Sequence, residues 1–212
     1  MAELNKLFDA IVSGNMEVAV SVTKEAINES IDPKFLIENY MIKAMEEIGA
    51  RFQNGKAFVP ELLMAARAMK ASLELLSPML EGSNSIMLGK IMIGTVKGDL
   101  HDIGKNLVAS MFEGCGFKVI NLGINVDANT FVQKYKEEKP DIICMSALLT
   151  TTMSYMQEVV DAFKDEGLRD KVKIMIGGAP VNEEFAKKIG ADAYSSDANT
   201  AVIKAKELLG IN

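Results

Sequence analysis

The chain has 212 residues, a formal net charge of −6 and 49% apolar residues, enough for one large domain or two small ones with a full core. The acidic balance leaves no basic excess to neutralise phosphates, which argues against a nucleic-acid partner. No apolar run approaches the roughly 18 residues of a membrane span and the opening MAELNKLFDA lacks a signal-peptide core, so a cytoplasmic protein without a membrane partner is expected.

The first 80 residues read as successive helices. Leu4, Leu7, Phe8 and Ile11 recur at helical spacing, and Gly14 follows as a stop. A second helix covers roughly Glu17 to Ser30. Asp32-Pro33 then supplies an N-cap with proline at the first helical position. The helix it opens carries Met41, Met45, Ile48 and Phe52 on one stripe and stops near Gly55. Pro60 opens the next, with Leu62, Ala66, Met69, Leu73 and Leu76 on one face. Four amphipathic helices with short connections predict a helical bundle. The methionines Met41, Met45, Met64 and Met69 read as its core filler.

At Glu81–Gly89 (EGSNSIMLG) the helical period is lost, which marks an interdomain tether. The expected division is therefore a helical domain over 1–82, a linker over 83–89 and a second domain over 90–212. There, strand patterns at Lys90–Val96, Lys118–Leu122, Asp141–Ser146, Lys173–Gly177 and Ala193–Ser195 alternate with helical ones. The helices fall near Ile103–Glu113, Ala128–Glu138, Thr152–Glu166, Glu183–Ile189 and Thr200–Leu209. This alternation predicts an α/β domain, a doubly wound parallel sheet of five strands covered on both faces, with any ligand beyond the carboxyl ends of the strands.

The loop after the first strand carries the chemistry. Gly98-Asp99-Leu100-His101-Asp102-Ile103-Gly104-Lys105-Asn106 lacks both the phosphate-loop and the GxGxxG spacing. It holds the chain's one histidine, which excludes HExxH zinc chemistry and anything else needing two imidazoles. Cys115 and Cys144 fit a reducing compartment and lack the paired spacing of a zinc site. Asp99 and His101 alternate with Leu100, so both can point to one side of an extended loop. A carboxylate on one ring nitrogen fixes the tautomer and leaves the other nitrogen as a general base or a metal ligand. One imidazole suffices as the axial ligand of a metal already held by a macrocycle.

Asp99-x-His101-x-x-Gly104, followed by Ser146-x-Leu148 and Gly177-Gly178, resembles the cobalamin-binding signature of corrinoid methyl carriers. The segment from Arg51 to Glu61 is similar to the cap domain of cobalamin-dependent methionine synthase, and the resemblance covers nearly the whole chain. It implies a four-helix cap followed by a flavodoxin/Rossmann-like domain that binds cobalamin or a related corrinoid, methylated in the loaded state. It further implies His101 as the cobalt ligand, Asp99 as its carboxylate partner and Thr152 as the hydroxyl that continues the relay, where methionine synthase has serine. Gly98, Leu100, Asp102 and Gly104 belong to the same binding loop. Ser146, Leu148, Thr150, Gly177, Gly178 and Ala198 match positions around the displaced nucleotide tail. Phe52, Val59 and Glu38 match cap residues near the upper face of the corrin, with Val59 in place of a leucine.

Such a carrier works with partners: a substrate-specific corrinoid methyltransferase, a second methyltransferase that passes the methyl to coenzyme M, tetrahydrofolate or a similar acceptor, and a reductive activation protein. The donor, whether methanol, a methylamine, a quaternary amine or an aryl methyl ether, is set by the partner. The chain would be a non-catalytic subunit of the system. The alternatives are a cobalamin-binding sensor or regulatory subunit, a mutase subunit, and a flavodoxin-like domain without a cofactor.

Overall fold

The computed structural model describes residues 2–80 and 88–211. The tether read at Glu81–Gly89 therefore lies outside the described residues except for Leu88 and Gly89. Contacts divide the chain into two compact units. One comprises the described residues up to 87 with Ser110–Gly116, the other Leu88–Ala109 with those from Phe117 onward.

The helical part opens with α1 (Leu4–Val12), which buries Leu7 and Ile11 completely. In α2 (Met16–Asn28), Asn15 caps the first turn by accepting the Val18 N–H at 3.2 Å. Asp32 does the same for Phe35 N–H at 3.1 Å, and Pro33 follows at the first helical position, as the sequence predicts. The third helix is not uniform, however. After α3 (Pro33–Leu36) comes a π-helical turn, Ile37–Met41, and then α4 (Ile42–Gln53). The expected bundle thus contains a π-bulge, a feature that clusters at functional sites. Finally, α5 spans Val59–Leu80. Leu7, Ile11, Leu36, Met41, Met45 and Met69 are buried together as its apolar core. Met64 is a correction to the methionine reading, since it is 43% exposed. Five residues of helix separate it from Met69, which turns it about 140° away from the core stripe.

In the second unit the strands are β1 (Lys90–Thr95), β2 (Lys118–Asn121), β3 (Ile142–Ser146), β4 (Lys173–Gly177) and β5 (Ala193–Ser195). They pair in the order β2-β1-β3-β4-β5, all parallel. The helices between them are α6 (Ile103–Gly114), α7 (Ala128–Glu138), α8 (Ser154–Asp165), α9 (Glu183–Ile189) and α10 (Ala198–Leu209). Residues 91–95 of β1 are all buried, so both faces of the sheet are covered. Ile143, Ile174, Phe131, Met156, Val160 and Phe163 form the core between strands and helices.

Three boundaries differ from the sequence reading for visible reasons. β1 ends at Thr95, and Val96 keeps only an isolated parallel bridge to Val126. α8 starts at Ser154 rather than Thr152, whose hydroxyl bonds a carboxylate on another loop instead. α10 starts two residues early because Asp197 accepts the Thr200 N–H at 2.8 Å. Register places Thr95, Ser146, Gly177 and Ser195 in one row across the carboxyl edge of four strands. Strand order reverses between β1 and β3, so the loops after these two strands flank the crevice where doubly wound sheets hold ligands.

Candidate functional site

Those two loops meet at one carboxylate. Asp99 lies on the β1–α6 loop with no solvent exposure, and its two oxygens are shared among five donors. Oδ1 accepts the His101 backbone N–H at 3.0 Å and lies 2.7 Å from His101 Nδ1. Oδ2 accepts the backbone N–H of Leu148 at 2.7 Å, that of Leu149 at 3.3 Å and the Thr152 hydroxyl at 2.8 Å. Burial on its own raises the pKa of this carboxyl. The donors from Leu148, His101 and Thr152 outweigh burial and hold it well below the usual carboxylate range. Asp99 is therefore a fixed anion aimed at the imidazole.

The imidazole is placed differently. The His101 side chain is half exposed, at 51%. With the carboxylate against Nδ1, that nitrogen carries the ring proton and Nε2 keeps its lone pair for a ligand. Among the described residues no cluster of three or more His, Cys, Asp or Glu side chains converges on a common point. A single directed imidazole matches a metal whose other ligands come from a macrocycle.

The surface around it fits a flat apolar group. Leu100, on the same loop as His101, is 67% exposed, and Ile103, the first residue of α6, is 85% exposed. Ile124, on the β2–α7 loop, and Leu148 and Leu149, on the β3–α8 loop, are also exposed. Five large apolar side chains are thus exposed on the segments that follow three neighbouring strands, an apolar shelf at the carboxyl edge of the sheet. Gly104 adds to this. It sits in the first turn of α6, a glycine there costs about 1 kcal/mol against alanine, and a Cβ would meet no atom within 4 Å. Nothing in the chain's own packing requires that glycine.

The remaining predicted residues are dispersed over the same edge or in the helical unit. Gly98 has φ +78° and donates its N–H to Asn125. The Asp102 carboxylate accepts the Asn106 side-chain amide at 2.9 Å. Ser146 is half-buried at the end of β3, and Thr150 is exposed in the following loop. Gly177 lies beside Ser195, where a Cβ would come within 3.1 Å of its carbonyl oxygen. Gly178, at φ +128°, is required by the fold itself, because a Cβ there would run into the Ala147 carbonyl. Ala198 opens α10 with its methyl buried. In the helical unit, Glu38 is exposed on the π turn near Lys34, Phe52 is partly buried and Val59 is exposed. Cys115 and Cys144 are buried, and burial pushes the Cys144 thiol far up, which suits inert packing.

Sequence reasoning missed several residues that hold this edge together: Thr95, Lys105, Asn121, Asn125 and Leu149. Lys105 is buried and bonds Asn121 Oδ1 at 2.8 Å and Asn106 Oδ1 at 2.6 Å. The signal available was position, since Thr95, Asn121 and Asn125 all lie at or just past the end of a strand.

Comparison with known proteins agrees with this geometry. The B12 binding domain family matches residues 89–203, and a second B12 binding domain family matches residues 3–77. The chain is 45% identical to the trimethylamine corrinoid protein of Methanosarcina barkeri over 208 residues, 97% of this chain and 96% of that protein. It is equally 45% identical to the dimethylamine corrinoid protein of the same organism over 207 residues, 97% of each. Its fold matches a chain of the methanol:cobalamin methyltransferase complex from Methanosarcina barkeri with a TM-score of 0.85 and 28% identity, covering 98% of this chain and 79% of that one.

Proposed function

We propose, from the premise that the chain belongs to the B12-binding corrinoid proteins of methyltransferase systems, that it carries methyl groups taken from methylamines. The observation that carries this reading is the Asp99–His101 pair, 2.7 Å apart, with its imidazole half exposed beside an apolar shelf. When bound, the corrinoid supplies a cobalt centre that takes up a methyl group and hands it on. His101 Nε2 would hold the cobalt, and the exposed apolar side chains Leu100, Ile103, Ile124, Leu148 and Leu149 would help hold the corrinoid.

The chain's own residues then have defined tasks. Asp99 holds the Nδ1 proton and orients the ring, which leaves the Nε2 lone pair free for a metal. The Leu148 N–H and the Thr152 hydroxyl keep Asp99 ionised and in place. On the family resemblance, Phe52, Val59 and Glu38 of the helical unit are assigned to contact the bound corrinoid. Ser146, Thr150, Gly177, Gly178 and Ala198 line the sheet edge where a nucleotide tail would run.

A corrinoid protein works with methyltransferases, and relatives named for trimethylamine and dimethylamine favour a methylamine-specific enzyme as donor partner. The acceptor methyltransferase and a reductive activation protein complete the proposed cycle, in the cytoplasm. Among the described residues no helix is long and apolar enough to cross a membrane. A regulatory role is not favoured by relatives that carry this name over nearly their whole lengths. The test is to load the full chain with corrinoid anaerobically and assay methyl uptake with donor methyltransferases for mono-, di- and trimethylamine and for methanol. Uptake with an amine enzyme alone is expected. Uptake with the methanol enzyme only would overturn the methylamine assignment.

A further inference from the structure

The Asp99–His101 pair is only as well placed as the backbone that carries it. The Asp99 carboxylate takes its donors from the β3–α8 loop and from the His101 backbone N–H, which ties Asp99 to His101 but not to the strands beneath. Two residues outside the recognised signature add that anchorage. Thr95, fully buried at the end of β1, donates its hydroxyl to the His101 carbonyl oxygen at 2.9 Å. Asn125, on the β2–α7 loop, accepts the Gly98 N–H on Oδ1 at 2.8 Å and donates its own N–H to the Asp99 carbonyl oxygen at 3.1 Å. Asn125 thus bonds the Gly98 N–H with its side chain and the Asp99 carbonyl oxygen with its backbone N–H, and Thr95 bonds His101 itself.

Asn125 does this from an uncommon conformation. Its φ is +54°, a region that non-glycine residues enter rarely and asparagine enters most readily. Glycine would adopt it more easily, yet glycine has no side-chain oxygen to offer Gly98. Backbone strain retained where a side chain reaches the catalytic loop points to a role beyond turning the chain. Thr95 carries a similar argument. A valine would fill the same buried space at a strand end, and only the hydroxyl reaches His101.

We propose that Asn125 and Thr95 are positioning residues that preset the His101 imidazole for axial coordination before any ligand arrives. The proposal rests on the reading of His101 as the axial imidazole. Without the two grips, the exposed loop around Leu100 and Asp102 samples other paths while Asp99 stays on Leu148 and Thr152. The imidazole then loses its fixed partner on Nδ1 and presents either nitrogen outward. Preorganisation of this kind appears as a change in tautomer, which a purely structural contribution to folding does not produce.

The chain's single histidine makes the test direct. Full-length apoprotein labelled with nitrogen-15 histidine gives one pair of ring nitrogens in a nuclear magnetic resonance spectrum. In mildly alkaline buffer the wild type should show one tautomer, protonated on Nδ1, with a slowly exchanging Nδ1–H. Asn125→Gly keeps the left-handed backbone and removes the acceptor. Thr95→Val keeps the shape and removes the hydroxyl. Both should move the ring toward a tautomer average and lose the Nδ1–H signal, whereas Asn125→Asp and Thr95→Ser should restore it. On loading with cob(II)alamin, the histidine-coordinated fraction of the two deficient variants should fall roughly tenfold relative to the free form, the low end of losses caused by removing supports of a metal ligand. Folded Asn125→Gly and Thr95→Val proteins with the wild-type tautomer and undiminished coordination would overturn the proposal. Should Asn125→Gly fail to fold, the Thr95→Val and Thr95→Ser pair decides by the same two outcomes. A wild-type protein that shows no histidine nitrogen on cob(II)alamin refutes the axial reading instead, and the apoprotein tautomers still decide the clamp.

Discussion

The helical unit and the sheet unit bury apolar side chains alike but differ in how they treat polar ones. Among the described residues, the helices bury two polar side chains, Thr23 and Ser72. The sheet unit buries six: Thr95, Asp99, Lys105, Thr152, Ser195 and Asn199. All six lie at the carboxyl edge of the strands or in the loops and first helical turns beyond it. Burying a polar group is costly unless it is hydrogen-bonded, so six at one edge signal a place where the chain accepts cost for chemistry. The helical unit, by contrast, is held mainly by apolar packing, interrupted by its π turn and by the buried hydroxyls of Thr23 and Ser72.

Breaking the polar edge at its centre should have the largest effect. Asp99→Ala leaves the Leu148 N–H without its acceptor, at about 1–3 kcal/mol for a buried group, and strips the Thr152 hydroxyl of its charged acceptor, leaving it the Leu149 carbonyl oxygen at 2.9 Å. It should also weaken corrinoid retention by roughly 10- to 100-fold. Urea unfolding of the apoprotein and equilibrium dialysis measure the two losses. Met45→Ala, in the helical core, should cost a comparable 2–5 kcal/mol, about what other buried methionines cost. Unlike Asp99→Ala, it should leave the His101 ring resonances unchanged.

Acid sharpens the same contrast. The folded pKa of Asp99 is depressed, so its contribution to stability is present above the unfolded value of about 4 and is lost as pH falls through the lower folded value. The wild type should therefore lose more stability than Asp99→Asn on acidification below about pH 4. Parallel slopes in urea titrations at several pH values would count against this. A smaller effect is expected at Thr152. Replacement by valine removes one hydrogen bond to a charged acceptor, worth about 1.5 kcal/mol, and serine should recover most of it. The smallest effect has the opposite sign. The Ser72 hydroxyl is buried without a hydrogen-bond partner among the described residues, so Ser72→Ala should stabilise the chain by about 1 kcal/mol and leave corrinoid binding untouched.

How far the sequence could be read depended on whether a feature was local. Alternating strands and helices, the Asp32-Pro33 start and the Asp99-x-His101 loop are written in adjacent residues, and the structure has them within a residue or two of the expected places. The π turn at Ile37–Met41 leaves no such trace, because its extra residue is accommodated by packing around Leu36 and Met41. Thr95 and Asn125 were invisible for a different reason. Each acts on a residue that only the fold brings near, six positions away for Thr95 and 27 for Asn125. Gly178 shows the converse. The sequence matches it to a position around a nucleotide tail, and in the fold the Ala147 carbonyl by itself already calls for a glycine there. Gly104 differs, since it lies in a helix at negative φ and its Cβ would meet open space.

The measurement closest to the central claim is electron paramagnetic resonance of the full chain loaded with cob(II)alamin, prepared with nitrogen-14 and with nitrogen-15 histidine. Because His101 is the chain's one histidine, any isotope effect comes from it. The account predicts a nitrogen splitting that changes with the isotope and disappears in His101→Ala, while corrinoid stays partly bound. A spectrum indifferent to the label and to His101→Ala would contradict it.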